Sequence, residues 1–243
     1  MTALMGLQAR LRLARLYLCT DARERQGDLA EFLAAALAGG VDVVQIRQPG
    51  LRPEVRRAAL EVAREVAAPH QALVGVDGSP KIAGQLGVDL LHLDQAGPPT
   101  AVARTQLAPQ VLVGRSAHDS GQTDAALQDD ALDYLWIGPV RGTPAAAGRP
   151  AVGLDLVRHA ARLAPTFSLR SKPWFAAGGI TTATIEAVLE AGARRVCVAG
   201  AIATASDPQQ TAAELAGLLQ AAWRDDPAAE RYTFAAAAST GRD

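Results

Sequence analysis

The sequence predicts a single (β/α)8 barrel, and three observations predict it. Eight short apolar runs alternate with eight stretches of helical periodicity over 243 residues, the length one such barrel takes. Most of the runs are continuously apolar, as strands covered by helices are. Finally, the stretch from Lys172 to Ile202 (KPWFAAGGITTATIEAVLEAGARRVCVAGAI) reads as a strand (Trp174 to Ala177), a glycine pair, a helix from about Thr182 to Ala191 and a strand (Arg195 to Ala199). Such a βαβ unit makes its two strands parallel neighbours. A doubly wound open sheet is the competitor, but its G-x-G-x-x-G after the first strand is absent.

Taken in order, residues 1–13 read as a loose helical leader and 14–223 as the barrel. Arg15 to Cys19 is the first strand, and the alanine-rich helix from Leu29 to Leu37 stops at Gly39-Gly40. Asp42 to Ile46 is a strand, and Val55 to Ala67 spaces its apolar residues as a helix does. Strands follow at Ala72 to Val76, Asp89 to Leu93, Val111 to Gly114 and Asp133 to Ile137, each trailed by a helical stretch. After the last of these, a polar loop from Gly138 to Pro150 precedes a helix from Leu154 to Leu163. Asp207 to Trp223 closes the barrel, and residues 224–243 read as a disordered tail.

Composition excludes several classes. The chain is 49% hydrophobic with a formal charge of −1 and no basic run, so nothing argues for nucleic acid or an anionic membrane surface. No apolar run is long enough to span a bilayer, and no signal-peptide core opens the chain. Cys19 and Cys197 lie inside apolar strands, which favours buried free thiols and a cytoplasmic home over a disulfide or metal site.

In a barrel of this class the working residues lie at the C-terminal ends of the strands. Those ends carry Gln45 and Arg47, Asp77, His92 and Gln95, then Arg115, Ser116 and His118, with Thr143 on the following loop and Gly179 and Gly200 last. Gln45 and Arg47 alternate with apolar neighbours and should point inward; a buried arginine needs a ligand or an internal ion pair. His92, between two leucines, reads as a satisfied core histidine, whereas Ser116 and His118 read as functional. Asp77 before Gly78 also fits simple turn chemistry. The glycines at 178, 179 and 200 bring free N–H groups together as a phosphate needs, or merely make tight turns.

These residues resemble the thiamine-phosphate synthase family from Leu16 to Ile202. The resemblance rests on Val44-Gln45-Ile46-Arg47, on Gly87 to Gln95 (GVDLLHLDQ), on Gly114 to His118 (GRSAH) and on Gly138-Pro139-Val140. Gly148 to Gly153 (GRPAVG), Gly178-Gly179-Ile180 and Ala191-Gly192-Ala193 complete it. It implies a transferase that couples a hydroxymethylpyrimidine diphosphate with a hydroxyethylthiazole phosphate and releases pyrophosphate, using Mg²⁺, as a possible homodimer. It implies Gln45, Arg47 and Asp77 at the pyrimidine diphosphate, Ser116 on the diphosphate and Thr143 at the thiazole phosphate, which the backbones of Gly179, Ala199 and Gly200 would hold. Arg47, Ser116 and His118 are its catalytic candidates.

The chain departs from the family pattern selectively. The two magnesium-ligand positions are Gly78 and Gly97, a lysine position is Pro49, and the T-x-T-K loop reads Thr143-Pro144-Ala145-Ala146. Arg52, Arg115, Arg141 and Arg149 are the cations available to compensate. Two other functions are compatible with the same residues: an isomerase like the related thiazole tautomerases, with His118 carrying the proton, and a non-catalytic phosphate-binding protein.

Overall fold

The computed structural model describes residues 5–143 and 148–238. Its strands are β1 (Leu16–Thr20), β2 (Val43–Ile46), β3 (Leu73–Asp77), β4 (Leu90–Leu93), β5 (Leu112–Ala117), β6 (Tyr134–Ile137), β7 (Trp174–Ala177) and β8 (Val196–Val198). They pair in parallel in chain order, and β8 returns to β1, closing the barrel. The helices are α1 (Leu7–Leu13), α2 (Leu29–Ala38), α3 (Pro53–Ala67), α4 (Pro80–Leu86) and α5 (Thr100–Arg104). They continue with α6 (Ser120–Gln128), α7 (Gly153–Leu163), α8 (Ile185–Glu190), α9 (Gly200–Ala203), α10 (Pro208–Arg224) and α11 (Ala229–Ala237). The predicted (β/α)8 barrel is the observed fold. No helix of the described residues is long and apolar enough to cross a membrane.

Strand alternation sorts the side chains into two cores. Tyr17, Val43, Leu73, Leu90, Leu112, Tyr134 and Phe175 fill the barrel interior, while Leu18, Val44, Val74, Leu91, Val113 and Leu135 face the helices. Gly114 is the interior position of β5 because the Tyr134 ring occupies the place its Cβ would take. Both cysteines are buried and unbridged, as expected.

Asp42, Asp89 and Asp133, each just before an even-numbered strand, share one task. Their carboxylates accept from backbone amides of the preceding strand: Asp42 from Arg15 and Leu16, Asp89 from Val74, Asp133 from Val113. Each thereby satisfies strand-start donors that would otherwise be buried without a partner.

Two expectations about the ends are corrected. The leader is not loose: Leu11 of α1 is fully buried, and with Leu7 it closes the bottom of the barrel interior. The tail is not disordered over its described part. In α11, Tyr232 and Ala236 lie one turn apart and pack against Trp223 and Phe167. An alanine-rich segment looks featureless by composition, yet two apolar residues four apart suffice when a partner face exists. Residues 1–4 and 239–243 lie outside the described residues.

The tail also completes a buried polar contact. Arg195 is 1% exposed, and its guanidinium donates to the Arg12 carbonyl (2.7 Å) and the Tyr232 hydroxyl (3.1 Å) against the Trp223 ring. Tyr232→Phe is therefore expected to cost about 1–3 kcal/mol, since hydrogen bonds to charged groups carry that much. A urea midpoint unchanged by this substitution would show that α11 is not coupled to the barrel.

Candidate active site

The C-terminal mouth is floored by aromatic rings. Tyr17 meets Trp136 and Phe175 edge to face, with centroids 5.1 and 5.3 Å apart, and Trp136 stacks on His92 at 3.7 Å. Trp136 was not among the expected site residues. Its signal was present, because it shares the inward face of β6 with Tyr134 and stands nearer the strand's C-terminal end.

Gln45 enters this floor from β2, fully buried. Its Oε1 accepts from the Tyr17 hydroxyl at 2.6 Å, while its Nε2 has no hydrogen-bond partner among the described residues. An unmade bond of that kind costs about 1–3 kcal/mol, so the protein alone does not explain this amide.

His92 and Ser116 form the opposite side. His92 Nε2 lies 2.9 Å from Ser116 Oγ. Burial, reinforced by the Arg47 charge, pushes the imidazole down to about 3, so it is neutral at physiological pH. It orients the serine hydroxyl and takes up no second proton, but its Nδ1 has no hydrogen-bond partner among the described residues, so the expected satisfied core histidine is satisfied at one ring nitrogen only. Gln95 Nε2 donates to the Ser116 carbonyl, fixing the backbone there as well.

Above the floor runs a belt of alternating charge. Asp77 lies 3.7 Å from both Arg47 and Arg56, and Asp94 lies 3.0 Å from Arg149. Burial raises the Asp77 carboxyl despite both arginines. Burial also opposes ionisation of Asp94, but the Arg149 hydrogen bond and charge outweigh it and lower that carboxyl. Arg56 lies in α3, and nothing in its spacing separates it from the other arginines of that helix.

Arg149 also reaches His118. A guanidinium can only donate, so His118 Nε2 accepts from it, and Nδ1 carries the proton that goes to the Gly138 carbonyl. The imidazole is thus engaged on both nitrogens. A cavity of about 760 Å³ opens beside it, lined by Gln95, His118, Gln122, Arg149 and His159 among others.

Arg115 is not part of the belt. The strand expected to end at Gly114 continues to Ala117, so alternation turns Arg115 away from the interior, and its guanidinium holds the Asp94 and Pro98 carbonyls. Arg52 pairs with Glu54 on the surface, and Arg141 is exposed beside Gly179. Thr143 ends the described part of its loop; the substituted positions 145 and 146 lie outside the described residues.

The three glycines at the last two strand ends are not equivalent. Gly178 and Gly179 have φ of +94° and +68°, and a Cβ on either would lie 2.6 Å from Pro139 or Arg141. Backbone geometry alone requires glycine at both. At Gly200 φ is not positive and a Cβ would meet nothing within 4 Å, so packing gives no reason for glycine there. With Ala199, it opens a helical turn whose first amides have no intrahelical partner.

The residues present do not fit the magnesium that the family resemblance implies. Gly78 and Gly97 offer no carboxylate, and Gly78 has φ of +100°, a conformation aspartate rarely adopts. The carboxylates nearby are paired with arginine, and the described residues contain no group of three or more His, Cys, Asp or Glu able to hold a metal.

The comparisons with known proteins agree with this barrel. The profile of the family described as Thiamine monophosphate synthase matches residues 16–202. The Thiamine-phosphate synthase of Thermobifida fusca is 49% identical, over 89% of this chain and 97% of its own length. That of Acidothermus cellulolyticus is 47% identical, over 89% of this chain and all of its own. Among solved structures, the thiamine phosphate pyrophosphorylase from Pyrococcus furiosus superposes with a TM-score of 0.76 at 24% identity, covering 89% of this chain and 99% of that one. At that identity the superposition speaks for the fold alone, but the sequence matches go further. This chain belongs to the thiamine monophosphate synthase family.

Proposed function

We propose that the chain is a transferase of thiamine biosynthesis, joining hydroxymethylpyrimidine diphosphate to hydroxyethylthiazole phosphate with release of pyrophosphate. The observation that carries this reading is the Gln45 amide, fully buried, aligned by Tyr17, and left with a free donor beside a stacked aromatic floor. That combination suits the edge and face of a flat nitrogen heterocycle. The relatives named Thiamine-phosphate synthase supply the reaction class.

In this reading the bond between the pyrimidine methylene and the diphosphate oxygen breaks, and its electron pair leaves with the diphosphate. The thiazole nitrogen then gives its lone pair to the methylene carbon. Gln45 holds the pyrimidine, with Asp77 keeping Arg47 at the diphosphate. Ser116, oriented by neutral His92, donates a hydrogen bond to the leaving group. The amides at Gly179, Ala199 and Gly200, with Thr143, hold the thiazole phosphate and bring its ring nitrogen within reach of the carbon. His118, engaged on both sides, serves as a positioning residue.

Gly200→Ala separates this reading from mere turn formation. Space for the methyl is open, so melting should stay within about 0.5 kcal/mol of the parent chain. Thiamine phosphate formation should lose roughly 10-fold in kcat/KM toward the thiazole phosphate. Unchanged kinetics would remove the phosphate from this turn. Stabilisation by thiazole phosphate without any product, when both substrates are supplied, would instead favour an isomerase or a non-catalytic binder.

A further inference from the structure

We propose that guanidinium groups, Arg47 and Arg149 foremost, take the charge of the departing diphosphate in this chain, and that the reaction needs no divalent cation. The proposal rests on the synthase reading above and deepens it at the diphosphate.

Three features of the mouth support it. The backbone at residue 78 has φ of +100°, which an L-carboxylate residue rarely adopts, and a Cβ at Gly97 would lie 3.0 Å from the Asp94 carbonyl. Backbone geometry at both positions therefore disfavours a carboxylate side chain. Next, Asp77 and Asp94, the carboxylates left beside them, face two guanidiniums and one respectively. A magnesium ion demands near-octahedral oxygen at about 2.0–2.1 Å and would sit against those cations. Lastly, the arginines are reachable: the Arg47 and Arg149 side chains are 36% and 42% exposed, and Arg47 stands 3.7 Å from Asp77, beyond hydrogen-bond length. A guanidinium keeps its proton at all physiological pH and presents paired donors that match two phosphate oxygens. Arg149 spans Asp94 and His118, which hold its guanidinium at the rim.

Charge and atoms balance without a metal. The carbon–oxygen bond cleaves heterolytically and pyrophosphate leaves with the electron pair. The carbon–nitrogen bond to the thiazole then forms, with no redox change.

The test uses the full chain. Inorganic pyrophosphate is titrated calorimetrically in excess EDTA, then in Mg²⁺, against the parent chain and the R47A and R149A variants. Melting curves of the variants check folding, and R149K tests whether a point charge replaces the fork. Binding in EDTA that weakens about 10-fold in each alanine variant, and only partly recovers in R149K, is the expected result. Binding that appears only with Mg²⁺, or that survives both alanine substitutions, overturns the proposal and gives Asp77 and Asp94 to a metal. In the coupled assay, thiamine phosphate formation should persist in EDTA and fall roughly 100-fold in R149A. A reaction abolished by EDTA overturns the proposal while leaving the synthase reading intact. Absence of product in every condition sinks the synthase reading, and the pyrophosphate titration still decides the arginine site.

Discussion

Gly138→Ala is expected to destabilise the barrel by about 3 kcal/mol or more, because the added methyl meets backbone rather than side chain. A Cβ there would lie 2.1 Å from the Ala177 carbonyl oxygen and 3.2 Å from the Val140 amide nitrogen. Those two atoms are themselves hydrogen-bonded at 2.8 Å, which ties the β6 exit to β7. No rotamer change relieves such a clash; the strand end has to move. A fall in melting temperature on the order of 10 °C follows for a chain of this size. Function should fall with it, since the Gly138 carbonyl also fixes the His118 tautomer. Gly142→Ala is the control in the same loop: its Cβ would meet nothing within 4 Å, and it should be neutral within about 0.5 kcal/mol. Melting of Gly138→Ala within a degree or two of the parent would refute this account of the β6–β7 corner.

The second large effect is on acid stability, and it belongs to His92. The unfolded imidazole titrates near 6.5 and the folded one is pushed down to about 3 by burial. Above about pH 6.5 neither form holds the proton, and the neutral ring contributes fully to stability. Between 6.5 and 3 the unfolded chain binds a proton that the folded chain does not, so stability drains away as pH falls. The slope is about 1.4 kcal/mol per pH unit, or roughly 2 kcal/mol by pH 5. His92→Phe keeps a flat ring against Trp136 but cannot titrate. It should be less stable than the parent at pH 7.5, where Ser116 loses its partner, and the gap should close by about 2 kcal/mol at pH 5. Other groups, such as Asp42 with its carboxyl raised by burial, are common to both chains and cancel in the difference. Urea midpoints running parallel from pH 7.5 to 5 would show that His92 is not the titrating group.

Much of this was legible in the linear sequence. The alternation of Gln45 with Val44 and Ile46, and the position of Ser116 and His118 after an apolar run, are local features that put these residues at the ends of β2 and β5. The failures have physical causes. Arg115 was misplaced because β5 runs three residues past Gly114, its expected end, and once Arg115 lies within the strand the alternation of faces turns it outward. Trp136 was not singled out because its alternation matches that of Tyr134, and only the level within the barrel separates floor from filling. The tail helix was missed because its two apolar anchors gain meaning from Trp223 and Phe167, one of them over 60 residues upstream of Tyr232.

By itself, the sequence determined the order and direction of eight strands, the polar residues at their ends, and the glycines at 78 and 97. All of these are local, set by periodicities of two and 3.6 residues and by the freedom of glycine. Tertiary structure alone decided how the remaining charges pair. Asp77 takes arginines from the segment just after β2 and from α3, and Arg149 crosses 55 residues to Asp94 while holding His118. No local rule specifies those partners, because closing and tilting the barrel is what brings the ends of neighbouring strands and their loops within a few ångströms of one another.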